Sequence, residues 1–341
     1  MSGYSFYSRL MTINMNGKAK PDERRALVSE IIKSEASSLV FCQELPGYFE
    51  TDVVPNDYKF VETIVKTKRK HAAVMWSKQH FHRKPVDAES IKKISDALVK
   101  LKKIDDEIPS RTALVRLTAK GEEAFNFPKP PFLAVSWHGP YSGKKGWTLE
   151  KKQKALKGLI LFLHEVCRRC AEDVSLIIIG GDFNLNTLDE NGLGWNVYFP
   201  RYKLSDRAAA KLEKNRKKKG RPYIPYKDNF AITTTSPSVV SPFKGMNLST
   251  VKAVEEESEK GKLNILDHDP IIGDLQLGKT SSTGKFCLVR ERFTCPLATK
   301  PCLKLIVTFS VLLEISRCFV ESVIFVIETK SGWEAFKRSK V

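Results

Sequence analysis

The sequence predicts a mixed α+β fold, and two observations carry that prediction. Short apolar runs of strand length alternate with segments whose apolar residues recur every three or four positions. Nearly every strand-like run is followed at once by a polar side chain, which marks those ends as candidate site positions.

Residues 9–13 (RLMTI) form the first expected strand, and Asn14-Met15-Asn16 follows it with the two amides on one face before Gly17. Residues 21–36 read as a helix, with Pro21 and Asp22 suited to its first turn and Leu27, Val28, Ile31 and Ile32 as its apolar stripe. Residues 38–42 are a second strand ending in Gln43-Glu44. Residues 71–76 (HAAVMW) are a third, preceded by the basic run 66–70. Ile91, Ile94, Leu98, Leu101 and Ile104 predict an amphipathic helix over 91–104 that packs on the domain. Residues 111–117 alternate as a strand should, and 131–137 lead into Ser136-Trp137-His138-Gly139-Pro140. Thr148 is a candidate cap for a helix whose Ala155, Leu159, Phe162, Leu163 and Val166 face a core.

The most informative stretch is SLIIIGGDFNLN, residues 175–186. Leu176 to Ile179 read as a buried strand. Gly180 and Gly181 permit either a tight turn or the close approach of another group, and Asp182 and Asn184, two apart on an extended chain, share one side. Beyond it, residues 203–219 are polar and increasingly basic, and 226–235 are a further strand containing Asp228, Phe230 and Ile232. Glu255 to Glu259 are a surface loop, and residues 263–277 carry Asp267-His268-Asp269-Pro270.

With 341 residues, 42% hydrophobic and 28% charged, the chain is neither disordered nor membrane-spanning as a whole. Its 57 basic against 39 acidic residues give +18, which favours a polyanionic partner, nucleic acid or an anionic membrane surface. The excess persists when the tail is set aside. The first residues lack the apolar core of a secretory signal, so an intracellular protein, nuclear or cytoplasmic, with reduced cysteines is expected. Cys167 and Cys170 form a CxxC, but inside a helical segment and with no second pair to complete a zinc site.

Residues 279–341 change character and are expected to be a C-terminal extension on a main domain of residues 1–278. The apolar run 303–327 is long enough to cross a bilayer. Lys304, Glu314, Arg317 and Glu321 lie within it, and central charges cost about 2.5–3.5 kcal/mol each on insertion scales, so an extension is favoured over a span or a membrane contact.

Singly, Asn14 reads as a turn former, Glu44 as a solvent-facing acid, His138 as a loop histidine and Asp267 as a cap. Together and in order, TINMNG (12–17), FCQELPG (41–47), SWHGP (136–140), GGDFN (180–184) and LDHDPI (266–271) resemble the endonuclease/exonuclease/phosphatase superfamily, its deoxyribonuclease-like branch in particular. The resemblance implies a four-layered α/β/β/α sandwich of two mixed β-sheets with outer helices, the polar strand ends converging on one edge. It also implies a phosphoric ester hydrolase with Mg²⁺ or Mn²⁺ as cofactor.

Under that resemblance Glu44 would anchor the metal, a hard oxygen donor suited to such an ion. Asp267 would be a further metal or water ligand. Asn16 stands where many relatives have an acid, and an amide there weakens a second metal position. His268 would be the general base, with Asp228 fixing its tautomer. Asp182 would orient the nucleophile, while Asn184 and Asn14 donate to phosphoryl oxygens. His138 would protonate or hydrogen-bond a phosphate oxygen. Arg111 would contact the substrate phosphate, a strand-start arginine in solvent being the equal alternative.

Three functions remain open to the sequence. A nuclease for DNA or RNA is favoured by the basic residues Lys68, Arg69, Lys70, Lys144, Lys145, Arg216, Lys217, Lys218, Lys219 and Arg221, which could neutralise phosphates. Each run could equally be a solvated loop, and 216–221 a nuclear address. A phospholipid or inositol-phosphate phosphodiesterase fits His138 and a membrane contact by residues 303–327. A non-catalytic nucleic-acid-binding protein would have no structural need for Glu44, His138, Asp182, Asn184 and His268 together.

Overall fold

Runs rich in Ile, Val, Leu and Phe form strands buried on both faces, and the stripes between them form covering helices. A computed structural model describes residues 8–15, 21–46, 49–65, 71–120, 131–140, 147–174, 176–187, 197–216, 224–235, 243–251, 266, 269–277, 324–329 and 332–337. Contacts divide the chain into two units, Met1–Thr280 and Ser281–Val341.

In chain order the first unit's strands are β1 (Ser8–Asn14), β2 (Leu39–Gln43), β3 (Tyr58–Glu62), β4 (Ala72–Ser77), β5 (Phe81–Lys84), β6 (Thr112–Ala119), β7 (Phe132–His138), β8 (Leu176–Asp182), β9 (Asp228–Thr234), β10 (Phe243–Thr250) and β11 (Ile271–Leu277). Its helices are α1 (Pro21–Glu35), a single turn α2 (Phe49–Asp52), α3 (Ala88–Lys100), α4 (Leu149–Cys170) and α5 (Asp206–Arg216). One sheet has the order β10-β11-β1-β2-β4-β3, and the other β5-β6-β7-β8-β9. Both are mixed: β1 and β2 run parallel across α1, β7 and β8 run parallel across α4, and the remaining pairs are antiparallel.

Three apolar layers explain the stacking. Between the sheets lie Leu10, Phe41, Val74 and Trp76 from one and Val115, Ala134, Ile178 and Phe230 from the other, with Phe41 and Phe230 edge to face at 5.8 Å. Outside the second sheet, Ile94 and Leu98 of α3 and Leu156, Leu159 and Leu163 of α4 pack over Leu133, Val135, Ile177 and Ile179. Outside the first, Val28, Ile31 and Ile32 of α1 cover Met11, Ile13, Val40 and Met75. This is the expected α/β/β/α sandwich. The Thr148 hydroxyl accepts from the Lys151 amide and caps α4 as predicted.

Several elements differ from expectation. The helix expected over 91–104 starts at Ala88, because both oxygens of Asp87 accept from the amides of Glu89 and Ser90, and it ends at Lys100. Strands β3, β5 and β10 carried no readable pattern. They are sheet edges, where one side of the strand faces water and polar residues replace the apolar run. Helix α5 was likewise concealed, because only Ala208, Ala209, Ala210 and Leu212 interrupt its polar and basic residues and they make no apolar stripe. The two glycines of β8 make no turn: the strand runs through them to Asp182. A Cβ on Gly180 would sit 2.5 Å from the Phe41 ring and one on Gly181 2.1 Å from the Trp137 carbonyl oxygen, so close approach is what requires them.

Cys167 is buried on α4 and Cys170 half-buried, both reduced, and burial pushes the Cys167 thiol up to about 12. That is the environment of an inert thiol. In the second unit, Ile324–Thr329 and Gly332–Lys337 form an antiparallel hairpin, β12 and β13. Its first strand takes in the end of the apolar run, the rest of which lies outside the described residues. Among the described residues no helix is long and apolar enough to cross a membrane.

Candidate active site

The parallel pairs place function. In parallel strands the C-terminal ends lie together, so β1 and β2 deliver Asn14 and Glu44 to one point, and β7 and β8 deliver His138 and Asp182 to another. Stacking the sheets brings these points into contact. The Asn14 side-chain amide donates to Asp182 Oδ2 at 3.0 Å and to Glu44 Oε1 at 3.3 Å, one NH₂ bridging carboxylates from the two sheets. His138 Nε2 lies 3.4 Å from the same Glu44 oxygen. Beneath them the Gln43 amide donates to Ser136 Oγ at 3.0 Å, and that hydroxyl donates to the Cys42 carbonyl at 2.8 Å, locking the sheets just below the site.

Burial grades the site from floor to mouth. Asp182 is 2% and His138 4% exposed, whereas the Glu44 side chain is 36% exposed. Glu44 has φ +50° and Asn184 φ +54°, both in the left-handed region that disfavours residues with a Cβ. The strain at Glu44 is compensated by its amide donating to the His71 carbonyl at 2.9 Å.

Asn184 does not share an extended side with Asp182, as its spacing suggested. The chain turns after Asp182, so the Asn184 amide N–H donates to Asp182 Oδ1 at 3.0 Å and its side chain donates to the Gly139 carbonyl at 2.9 Å. Asp228 opens β9, in register with Asp182. Arg111 sits in a short 3₁₀ turn. Its guanidinium pairs with Glu107 at 3.0 Å and donates to the carbonyls of His138 and Gly139 at 3.3 and 3.4 Å, so it braces the loop behind His138.

Glu44, His138 and Asp182 each offer a ligand atom, and all three lie within 4.8 Å of one another. Two carboxylates fastened to one amide repel each other, and a cation between them relieves that repulsion. Hard oxygen donors with one imidazole fit a divalent ion such as Mg²⁺ or Mn²⁺. The sequence had grouped Glu44 with Asp267 and Asn16 as ligands. Those two, His268, Lys68, Arg69, Lys70, Lys144, Lys145, Lys217, Lys218, Lys219 and Arg221 lie outside the described residues, and Arg216 closes α5.

Two residues beside the site were missed. His71 precedes β4, and its ring lies 5.7 Å from that of His138. Only the antiparallel pairing of β4 with β2 puts it there, which no local pattern encodes. Lys152 is 3% exposed on α4, and its ammonium donates to the Asn184 carbonyl at 2.9 Å. A signal for it existed: it falls on the apolar stripe with Ala155, Leu156 and Leu159, where a lysine is out of place.

No protein-family model and no curated protein matches the sequence. Solved structures do. ANGEL2, a 2′,3′-cyclic phosphatase in complex with adenosine-2′,3′-vanadate, is 11% identical with a TM-score of 0.51, over 80% of this chain and 96% of that one. TDP2 from C. elegans is 16% identical with a TM-score of 0.50, over 80% and 75%. The human Nocturnin catalytic domain is 14% identical with a TM-score of 0.49, over 80% and 94%. At such identities the likeness to the first two, each with a TM-score of 0.50 or above, shows the architecture alone, two mixed sheets faced by helices. The chain has the fold of the endonuclease/exonuclease/phosphatase superfamily.

Proposed function

We propose that the chain is a divalent-metal-dependent phosphodiesterase that hydrolyses nucleic acid. The observation that carries this reading is the bridge at the sheet junction, where Asn14 ties Asp182 to Glu44 with His138 against the same Glu44 oxygen. A scaffold gains nothing from two carboxylates and an imidazole converging on one point. Glu44 and Asp182 offer hard oxygen donors for Mg²⁺ or Mn²⁺, and such an ion would supply Lewis-acid stabilisation of charge growing on a phosphoryl oxygen.

The chain's own groups supply the rest. His268 is assigned as general base, taking the proton of the attacking water, with Asp228 as the carboxylate that stabilises its imidazolium. Asp182, fixed by two hydrogen bonds, orients the nucleophile. Asn14 and Asn184 hold the Asp182 carboxylate and the turn that follows it, and His138 is assigned the role of donor to a phosphate oxygen. The net charge of +18 supports nucleic acid as the substrate, since phosphate neutralisation dominates affinity for it.

The test is a cleavage panel of supercoiled plasmid, single-stranded DNA and RNA, with EDTA and with Mg²⁺ or Mn²⁺ restored. Metal-dependent cleavage of a nucleic acid is expected, weakening steeply with salt. Turnover confined to phospholipid, inositol phosphate or a terminal 2′,3′-cyclic phosphate would replace the substrate class, and no turnover of any phosphoester would refute the reading.

A further inference from the structure

Helix α4 buries one stripe, and at each turn but the first that stripe is apolar: Ala155, Leu156, Leu159, Ile160, Leu163. At the first turn the same face carries Lys152, 3% exposed. Lysine is almost never buried unless it is paired, and a leucine or methionine would suit the face better. Its surroundings show the use. The ammonium donates to the Asn184 carbonyl at 2.9 Å, reaching from α4 to the loop that follows β8. Burial lowers its pKa, the nearby Asp182 carboxylate opposes that fall, and Lys227 adds to it.

The carbonyl it holds belongs to a strained turn with several dependents. Asn184 lies at φ +54°. Its amide N–H fixes Asp182 Oδ1 at 3.0 Å, its side chain reaches the Gly139 carbonyl at 2.9 Å, and the Gly139 amide returns to the Asp182 carbonyl at 2.7 Å. His138 is the residue before Gly139. Displacing the Asn184 main chain therefore moves the aim of Asp182 and the loop carrying His138 together. We propose that Lys152 is a positioning residue of the site: its buried ammonium anchors the Asn184 turn and, through it, the Asp182 carboxylate and the His138–Gly139 loop.

The kinetic part of this inference rests on the phosphodiesterase reading, and the structural part does not. Lys152→Met removes the ammonium with little change of length. The full chain and the variant are compared by thermal unfolding, by hydrogen–deuterium exchange of the segment containing Phe183 and Asn184, and by steady-state cleavage of the nucleic acid that the wild type turns over. Because Lys152→Met leaves the Asn184 carbonyl without its donor while removing a buried charge, we expect at most a modest fall in the unfolding midpoint. Exchange in that segment should quicken at least about tenfold while the centre of β8 is unchanged. Turnover number should drop roughly 10- to 100-fold at a Michaelis constant within about twofold, as a misplaced catalytic group does. Lys152→Arg, which keeps charge and donors, should recover most of both. Should Lys152→Met not fold, Lys152→Gln replaces it under the same criteria. Unchanged exchange with turnover within about twofold of wild type would overturn the inference, and so would a Lys152→Arg variant as impaired as Lys152→Met. A wild type without turnover would refute the phosphodiesterase reading alone, and exchange would still decide whether Lys152 anchors the turn.

Discussion

Gly181 in β8 faces Trp137 in β7, one residue before the registered pair His138 and Asp182. A Cβ at Gly181 would lie 2.1 Å from the Trp137 carbonyl oxygen and 3.0 Å from its carbon. Carbon–oxygen contacts in sheets need about 3.3 Å, so Gly181→Ala has to part the two strands by roughly 1 Å. The atom in the way is backbone and cannot rotate aside. The cost therefore lies at or beyond the upper end of overpacking, about 3 kcal/mol. For a domain of this size that is a fall in Tm of about 6–12 °C. Because His138 and Asp182 are the next pair along, the same displacement reaches the site, where about 1 Å of misplacement costs on the order of 100-fold in rate. Thermal melts by circular dichroism and single-turnover cleavage well below the variant's Tm read both effects. Gly180→Ala, which meets the Phe41 side chain at 2.5 Å, is the internal comparison and should cost less, about 1–3 kcal/mol. A Gly181→Ala protein with Tm within about 2 °C of wild type and undiminished turnover would refute the close-approach reading of the glycine pair.

Two further outcomes follow from local structure. Thr148→Ala removes the hydroxyl that accepts from the Lys151 amide and should lower stability by about 1 kcal/mol, read as a shift in urea midpoint at unchanged slope. Burial lowers the pKa of His164 on α4 beneath the ordinary value of about 6.5. The unfolded chain then binds the proton more readily than the folded one, so stability should hold above about pH 6.5 and decline as pH falls toward the depressed folded value. Urea denaturation between about pH 7 and 5 checks the sign, and His164→Gln should flatten that decline.

Most of the fold was legible because central strands and covering helices write their burial into the sequence. β2, β4, β7 and β8 are buried at every position, and α3 and α4 keep their stripes. Edge strands β3, β5 and β10 were silent because half-solvated strands lose the apolar run. Polar strand ends pointed to Asn14, Glu44, His138 and Asp182, and these four meet. What the sequence withheld was geometry that arises only on pairing: His71 reaches the site through the β2–β4 register, and Asn14 meets Asp182 only because the sheets stack. Arg111 and Lys152 brace the site through main-chain carbonyls, groups that every residue carries, so although Lys152 stands out on an apolar stripe its target could not be read.

The central claim, that residues from both sheets form one metal-assisted hydrolytic site, turns on Glu44. Its side chain is 36% exposed, and Gln has the same shape and can still accept from Asn14, so the fold tolerates Glu44→Gln. The decisive measurement is the rate of Mn²⁺-supported nucleic-acid cleavage by Glu44→Gln against wild type, with Mn²⁺-induced thermal stabilisation recorded on the same samples. The account predicts a loss on the order of 100-fold or more in rate, loss of the Mn²⁺-induced shift, and an apo Tm within about 2 °C of wild type. Turnover within about threefold of wild type, with the Mn²⁺ shift intact, would contradict it.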